Sequence, residues 1–424
     1  MDNAGEKSQA GTGVLARFGG GEFDGRKARF QLLFFVQFAA GSGIIVFRNV
    51  YLDGMGMSGA EMGVIGFLML ATGVAVQPLW GLVTDYWHIE RAILVVGALV
   101  SAVALLTYPF GASLTDPFTI IAVGTAVFSA FRAPIVPIAT GMVLSRGYDF
   151  GHIRSFGSLA FGIGSLGVGL VVAAAGLVSI VYIYIGGMVV LMAVAWSLSD
   201  GSAASGDADD DTDDPSIARA VKALVTNWNF MVVVTAMFLF RLSFMGGEAF
   251  LSVYMRAVHA SLVVGPWSLS PDGLTGLVWA LNTGLEAGAF VYAARLGLSY
   301  KWLLVVGGTM VGIPNVVYGV TTDPLLILAV QAFGGIGFAL LSLGAVNLVH
   351  AVAAERIQSS AQTFLSGLSL GLGGAIGQVI AGHLLDTVGV QEMYLVIAVV
   401  GFLGAAVGLL VTHRGRLDAS DAAA

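Results

Sequence analysis

An all-α membrane protein is the fold class this sequence predicts, and three observations predict it. Apolar residues make up 57% of the 424 residues and charged residues only 11%, against about 25% charged in a soluble domain. Mean hydropathy is +0.88. The apolar residues also fall into twelve separate stretches, each near the roughly 20 residues that cross a bilayer as a helix. Hydrocarbon offers no water to backbone groups, so each stretch must satisfy its own hydrogen bonds and is expected to be helical.

The stretches follow one another in a regular order. Residues 1–27 are Gly-rich and polar, lack the apolar core of a signal peptide, and read as a cytoplasmic tail. Span 1 (30–50) and span 2 (62–83) follow, the second carrying Pro78. Span 3 (92–110) starts just after Arg91, and span 4 (118–143) contains Pro134 and Pro137, which should bend it. Span 5 (155–175) is glycine-rich, which lets helices approach closely. Span 6 (178–198) closes an N-terminal half, 28–198. The linker 199–229 carries Asp207, Asp209, Asp210, Asp211, Asp213 and Asp214, a run that reads as a solvated cytoplasmic loop. Span 7 (230–255), a long loop at 257–273, span 8 (274–294) and span 9 (302–320, with Pro314) come next. Span 10 (324–350), span 11 (363–384) and span 12 (393–412) complete a C-terminal half, 230–412, before a cytoplasmic tail at 413–424.

Basic residues predict the orientation. With both ends cytoplasmic, the inner segments hold 15 of the 19 Lys+Arg. The outer loops offer Asp53, Asp116, Asp272, Asp323 and Asp386 but only Arg256 as a clear cation. The positive-inside rule selects that topology in a cell membrane.

A faint repeat relates the halves. Val50-Tyr51 closes span 1 as Val253-Tyr254 closes span 7, and Gly66 opens span 2 as Gly276 opens span 8. Gly157, Gly162, Gly164, Gly167 and Gly169 of span 5 answer Gly367, Gly371, Gly373, Gly374 and Gly377 of span 11. Two six-helix halves around a central cavity are the architecture expected from such a repeat.

Several chemistries find no support. Cysteine is absent, so disulfides and thiolate metal sites are excluded. No G-x-x-x-x-G-K-[ST] loop occurs, which disfavours ATP-driven work. No Ser/His/Asp set or His/Glu metal cluster sits at membrane depth, and the six histidines all lie outside mid-membrane positions. The chain is therefore expected not to be an enzyme, to need no cofactor or metal, and to bind no nucleic acid.

After span 2 the chain reads Gly81-Leu82-Val83-Thr84-Asp85-Tyr86-Trp87-His88-Ile89-Glu90-Arg91. This resembles the major facilitator loop motif G-x-x-x-D-[RK]-x-G-[RK]-[RK]. Gly81, Asp85 and Arg91 fit, while Tyr86, His88 and Glu90 depart from it. In that superfamily the loop latches the two halves near a helix end. A second match comprises Ala133-Pro134, Ser145-Arg146 and Phe150-Gly151-His152-Ile153-Arg154-Ser155-Phe156-Gly157-Ser158. Together with Trp279-Ala280-Leu281 through Glu286, Gln331-Ala332-Phe333-Gly334-Gly335 and Gly382-His383-Leu384-Leu385-Asp386-Thr387-Val388-Gly389, it resembles the lactose permease-like branch. That branch includes oligosaccharide and nucleoside proton symporters. The resemblance covers about residues 28–412.

Carried over position by position, the resemblance places Arg154 at a sugar-binding arginine and Phe161 at an aromatic that stacks on the sugar ring. Pro137 takes the place of the sugar-binding glutamate, Gly334 that of a histidine, and Gly337 that of a coupling glutamate. The match implies the fold but not galactoside chemistry.

Charges at membrane depth supply the remaining candidates: Arg132 in span 4, Arg241 and Glu248 in span 7, and Glu286 in span 8. Each centred charge costs about 2.5–3.5 kcal/mol on the lenient insertion scale. They are expected to pair with one another or to face water, and as polar groups lining a cavity they are substrate-binding candidates. Arg241 and Glu248 share a helix face but sit about 10.5 Å apart along the axis, so each should meet a partner on another helix. Glu286 and Glu248 are the proton-coupling candidates, because a carboxylate with an arginine near it in only one conformation can change protonation. Arg48, near the outer end of span 1, is expected to snorkel to the interface.

The expected function is secondary active transport of a small organic solute by alternating access. Proton-coupled symport of a sugar- or nucleoside-like substrate is the leading form, with sodium coupling open. An exporter of amphipathic compounds on the same fold, or a non-transporting receptor or scaffold, is the alternative. The working unit is expected to be a monomer embedded in the lipid bilayer.

Overall fold

The computed structural model describes residues 25–111, 113–198, 219, 222–354, 357–413 and 415. The acidic run at 207–214 and most of both tails lie outside the described residues.

Twelve helical rods cross the molecule, several of them broken. Spans 1 and 2 are the single helices Gly25–Asp53 and Gly59–Trp87. Span 3 is Glu90–Ala104 continued by Thr107–Gly111, and span 4 is Pro117–Arg132 followed by Ile135–Leu144. The break in span 4 falls at Ala133-Pro134, as expected where a ring replaces a backbone N–H. Pro78 and Pro314 instead sit inside continuous helices. Spans 5 to 9 are Phe150–Ala175, Ser179–Trp196, Trp228–Ala257, Pro271–Tyr292 and Tyr300–Val320. Span 10 is Pro324–Ala329 with Gln331–Val352, and span 12 is Val390–Gly408. Among the described residues eleven helices are long and apolar enough to cross a membrane. Span 8 is the twelfth rod, made less apolar by Asn282, Thr283 and Glu286. The long loop after span 7 folds into a two-stranded antiparallel hairpin, Leu262–Val264 with Trp267–Leu269.

Local sequence sets where the helices begin. Ser58 and Glu61 form a reciprocal capping box at the start of span 2. Asp149, Asn227, Ser270, Ser299 and Asp323 each accept a backbone N–H from the first turn of spans 5, 7, 8, 9 and 10. Asp116 does the same for span 4, and hydrogen bonds from the Thr119 hydroxyl and backbone N–H hold its carboxyl below the usual range. Span 11 has a wide π-helical turn, Gly367–Gly373, between Gln358–Ser366 and Gly374–Val388. Such turns occur often at functional sites.

The two halves meet where span 2 packs on span 11, span 5 on span 8, and span 1 on span 7. The first two interfaces are tight at one end and open at the other. A Cβ at Gly276 would sit 2.5 Å from the Ser165 carbonyl, and one at Gly169 would sit 2.6 Å from that of Asp272. At Gly162 the nearest atom is 3.8 Å away, and at Gly284 and Gly288 nothing lies within 4 Å. Spans 2 and 11 behave alike: a Cβ would sit 2.6 Å from the Gln378 carbonyl at Gly63, 3.3 Å from Leu70 at Gly374 and 3.0 Å from Val74 at Gly371, while at Gly81 nothing lies within 4 Å. The wide end is the one where the chain termini gather, since Arg29 binds the Ser197 carbonyl and the Tyr300 N–H binds that of Gly415.

Candidate functional site

The closed end is locked by polar contacts across the halves. The Asp386 carboxylate, near the end of span 11, accepts the backbone N–H groups of Gly59 (2.6 Å) and Ala60 (2.8 Å) at the start of span 2. The first N–H groups of a helix lack intrahelical partners and carry the positive end of its dipole, so a carboxylate suits them. About two turns deeper lies Arg48, only 3% exposed. It does not snorkel. Its guanidinium donates to the Gln378 Oε1 of span 11 (2.7 Å), the Asn49 Oδ1 (2.9 Å) and the Met69 sulfur (2.9 Å). Hydrogen bonds within reach make burial cheaper than extension to the interface.

Beneath this lock three charged side chains from both halves converge. Glu286 of span 8 feels the positive charge of Arg241 in span 7 and of Arg154 in span 5. Neither arginine forms a direct ion pair with it: among the described residues the only salt bridge within 4 Å joins Arg256 to Asp272. Arg154 lies over the Phe38 ring at 4.2 Å and donates to the Ser158 hydroxyl at 3.3 Å. Arg241 is 7% exposed, covers the Phe338 ring at 4.8 Å, and leaves its Nε without a hydrogen-bond partner. Stacking on aromatic faces holds each guanidinium in place while keeping its edge free for oxygen acceptors.

Phe161 of span 5 meets Trp279 of span 8 edge to face, ring centroids 5.6 Å apart. The Trp279 Nε1 is buried with no partner among the described residues. Trp279 stands seven residues before Glu286 and so shares its helix face. An aromatic pair, an unused indole N–H, two guanidinium groups and a carboxylate suit a polar ring molecule with hydroxyls on its edge.

Of the four mid-depth charges, Arg132 stands apart from the other three. Arg132 bonds the Tyr184 hydroxyl of span 6 inside the N-terminal half, its guanidinium 5.9 Å from the Phe128 ring centroid. Glu248 faces a separate pocket in the C-terminal half, bordered by Asn282, Asn315, Tyr318 and Gln331. In the loop motif, Gly81 faces open space and Arg91 stacks on Trp196 of span 6 at 4.8 Å. Asp85 lies in the last turn of span 2. No group of three or more His, Cys, Asp or Glu converges among the described residues.

Reading charges alone misses Trp279, Gln378 and the uncharged amides of spans 8 to 11. An Asn or Gln at membrane depth was the available signal, because an unsatisfied amide there is costly.

Comparison with known proteins fits this arrangement. The chain is 24% identical to the maltose permease of Geobacillus stearothermophilus over 398 residues, covering 92% of this chain and 96% of that protein. It is 21% identical to the uncharacterized transporter YwbF of Bacillus subtilis over 353 residues, covering 82% and 84%. The crystal structure of the nucleoside transporter NupG superposes with a TM-score of 0.77 at 15% identity, covering 92% of this chain and all of that one. A POT family transporter in complex with 5-aminolevulinic acid superposes at 0.68 with 11% identity, covering 91% and 96%. Residues 28–396 match the MFS_1 like family, and with twelve helical rods in two halves, the chain belongs to that family of major facilitator transporters, as a multi-pass membrane protein.

Proposed function

We propose that the chain is a proton-coupled symporter of a small sugar- or nucleoside-like solute, working by alternating access. The observation that carries this is the convergence of Arg154, Arg241 and Glu286, drawn from both halves, just below an interface that is closed at one end and open at the other. With the basic segments cytoplasmic, this is an inward-facing conformation in a cell membrane, and both termini are cytoplasmic. Solute hydroxyls bind the Arg154 and Arg241 guanidiniums, and the solute ring lies on Phe161 and Trp279. Glu286 stands near two arginines without bonding either, so rocking of the halves changes its electrostatic surroundings, and it can exchange a guanidinium for a proton. The names of the maltose permease and of NupG support a polyhydroxylated ring as the solute class. Arg132 bonds within its own half and serves mainly to hold span 4 to span 6.

The test is uptake by the purified protein in liposomes, screening sugars, nucleosides and organic acids with an imposed proton gradient. Accumulation of one class that collapses with the gradient is the expected result. Solute flux indifferent to the proton gradient would overturn the coupling, and no flux of any class would overturn the transport reading.

A further inference from the structure

We propose that the pocket around Glu248 is a sodium-ion site enclosed within the C-terminal half, apart from the central solute site. The inference deepens the symport reading by adding a second coupling ion, and it rests on that reading for the ion's role, though not for its binding.

The argument begins with Glu248 itself. Among the described residues it makes no hydrogen bond and has no Lys, Arg or His nitrogen within 4 Å, and the charge it feels is that of another carboxylate, Glu286. A carboxylate at this depth is stabilised by a proton or by a bound cation, and the groups around Glu248 bear on which. The groups beside it are oxygen acceptors. The Asn315 amide nitrogen donates away to the Ser243 hydroxyl (3.3 Å), and the Asn282 amide nitrogen points to Gln331 Oε1 (3.4 Å). Both Oδ1 atoms are left for the pocket that the two side chains border. Gln331 donates to the Tyr318 hydroxyl (2.7 Å) and to the Ile327 carbonyl (2.8 Å), fixing that hydroxyl oxygen at the pocket wall.

The pocket is rigid and small. Tyr318, Tyr394 and Tyr254 pack together with ring centroids 5.1–5.4 Å apart, and the Tyr394 hydroxyl binds the Gly247 carbonyl at 2.8 Å. The free volume for a water-sized occupant is about 10 Å³, on the order of one water centre. An organic solute does not fit. One carboxylate, two amide oxygens and a hydroxyl form an all-oxygen, singly charged donor set, which suits a hard monovalent cation. The small volume favours sodium over potassium.

The experiment uses the purified full-length protein in detergent, without solute. Exchanging choline chloride for sodium chloride at constant ionic strength should raise the melting temperature by at least about 2 °C, because a ligand that binds only the folded state stabilises it. Potassium should do so far less. Radioactive sodium should bind at about one ion per chain and be displaced by unlabelled sodium but not by choline. Glu248→Gln should abolish the shift, and Asn282→Ala should weaken sodium at least about tenfold. Glu286→Gln should retain the shift. An equal effect of sodium and choline on the wild type would overturn the proposal, whatever the uptake assays show. So would a sodium shift that survives in Glu248→Gln but vanishes in Glu286→Gln, which would move the ion to the central site. Sodium binding with no solute flux would fault the transport reading and leave the ion site standing.

Discussion

Gln378 of span 11 accepts a hydrogen bond from buried Arg48 of span 1, Nη2 to Oε1 at 2.7 Å, and so ties one half to the other. A Cβ at Gly66 of span 2 would collide with that same amide, so the bond also depends on a glycine at the crossing. Together with Asp386 on the start of span 2, this contact joins the two halves at the narrow end. Alternating access requires that it break.

Loosening this lock should shift the conformational balance. Asp386→Asn removes the charge that two backbone N–H groups share, a loss of about 1–3 kcal/mol. The chain has no cysteine, so Met62→Cys, buried at 1% exposure near this end, gives a clean reporter. Membrane-impermeant maleimide applied from outside should label it about tenfold faster in the Asp386→Asn background. An unchanged rate would remove Asp386 from the gate.

Topology is open to the same chemistry. Tags at residue 210 and at the C-terminus should both be cytoplasmic, and a tag near Asp272 should be external. Finding the linker and loop 257–273 on one side would contradict an odd number of crossings between them.

At the solute site, Arg154→Lys keeps the charge and loses the planar fork that grips two oxygens and stacks on Phe38. Solute affinity should fall roughly tenfold, with normal insertion and thermal stability. Binding at wild-type strength would return Arg154 to the role of an inner-interface anchor.

Coupling should reside in Glu286. Positions 282, 283, 289 and 290 are Asn, Thr, Ala and Phe, so no cation on its own helix balances it, and Arg154 and Arg241 act from spans 5 and 7. Glu286→Gln keeps the shape and removes the titration. Accumulation against a gradient should be lost while exchange of labelled solute continues. Gradient-driven accumulation at the wild-type level would exclude this carboxylate from coupling.

A stability test lies at the closed end of span 8, where the Asp272 carbonyl faces Gly169 of span 5. Arg256 closes span 7 on Asp272 of span 8 through two parallel bonds of 2.8 and 2.7 Å. Being partly exposed, the pair contributes about 0.5–1 kcal/mol, so Asp272→Asn should lower the melting temperature by only a degree or two. A drop of ten degrees in a calorimetric scan would show that the hairpin between these spans is held by this pair.

Much of this was written in the chain itself. Eleven of the spans follow from hydropathy, because the cost of an unsatisfied backbone in hydrocarbon leaves a helix as the local answer. The helix starts follow from Ser58, Asp116, Asp149 and their like, since capping is decided within four residues. The break in span 4 follows from Pro134. The identity of Arg241 and Glu286 as candidates follows from the cost of burying charge, and that of Arg154 from the family resemblance. What the sequence left open was partnership. Arg132 and Glu286 are both charged and similarly deep on paper, yet one meets Tyr184 within its half, and the other feels Arg154 of the opposite half as well as Arg241 of its own. Arg48 looked able to reach the interface, and only the fold brings Gln378, 330 residues away, to its guanidinium. The pocket at Glu248 draws on four different helices. Hydrophobicity acts along the chain and needs no geometry, whereas hydrogen bonds and ion pairs act over 3–4 Å between elements, so only the tertiary structure decides them.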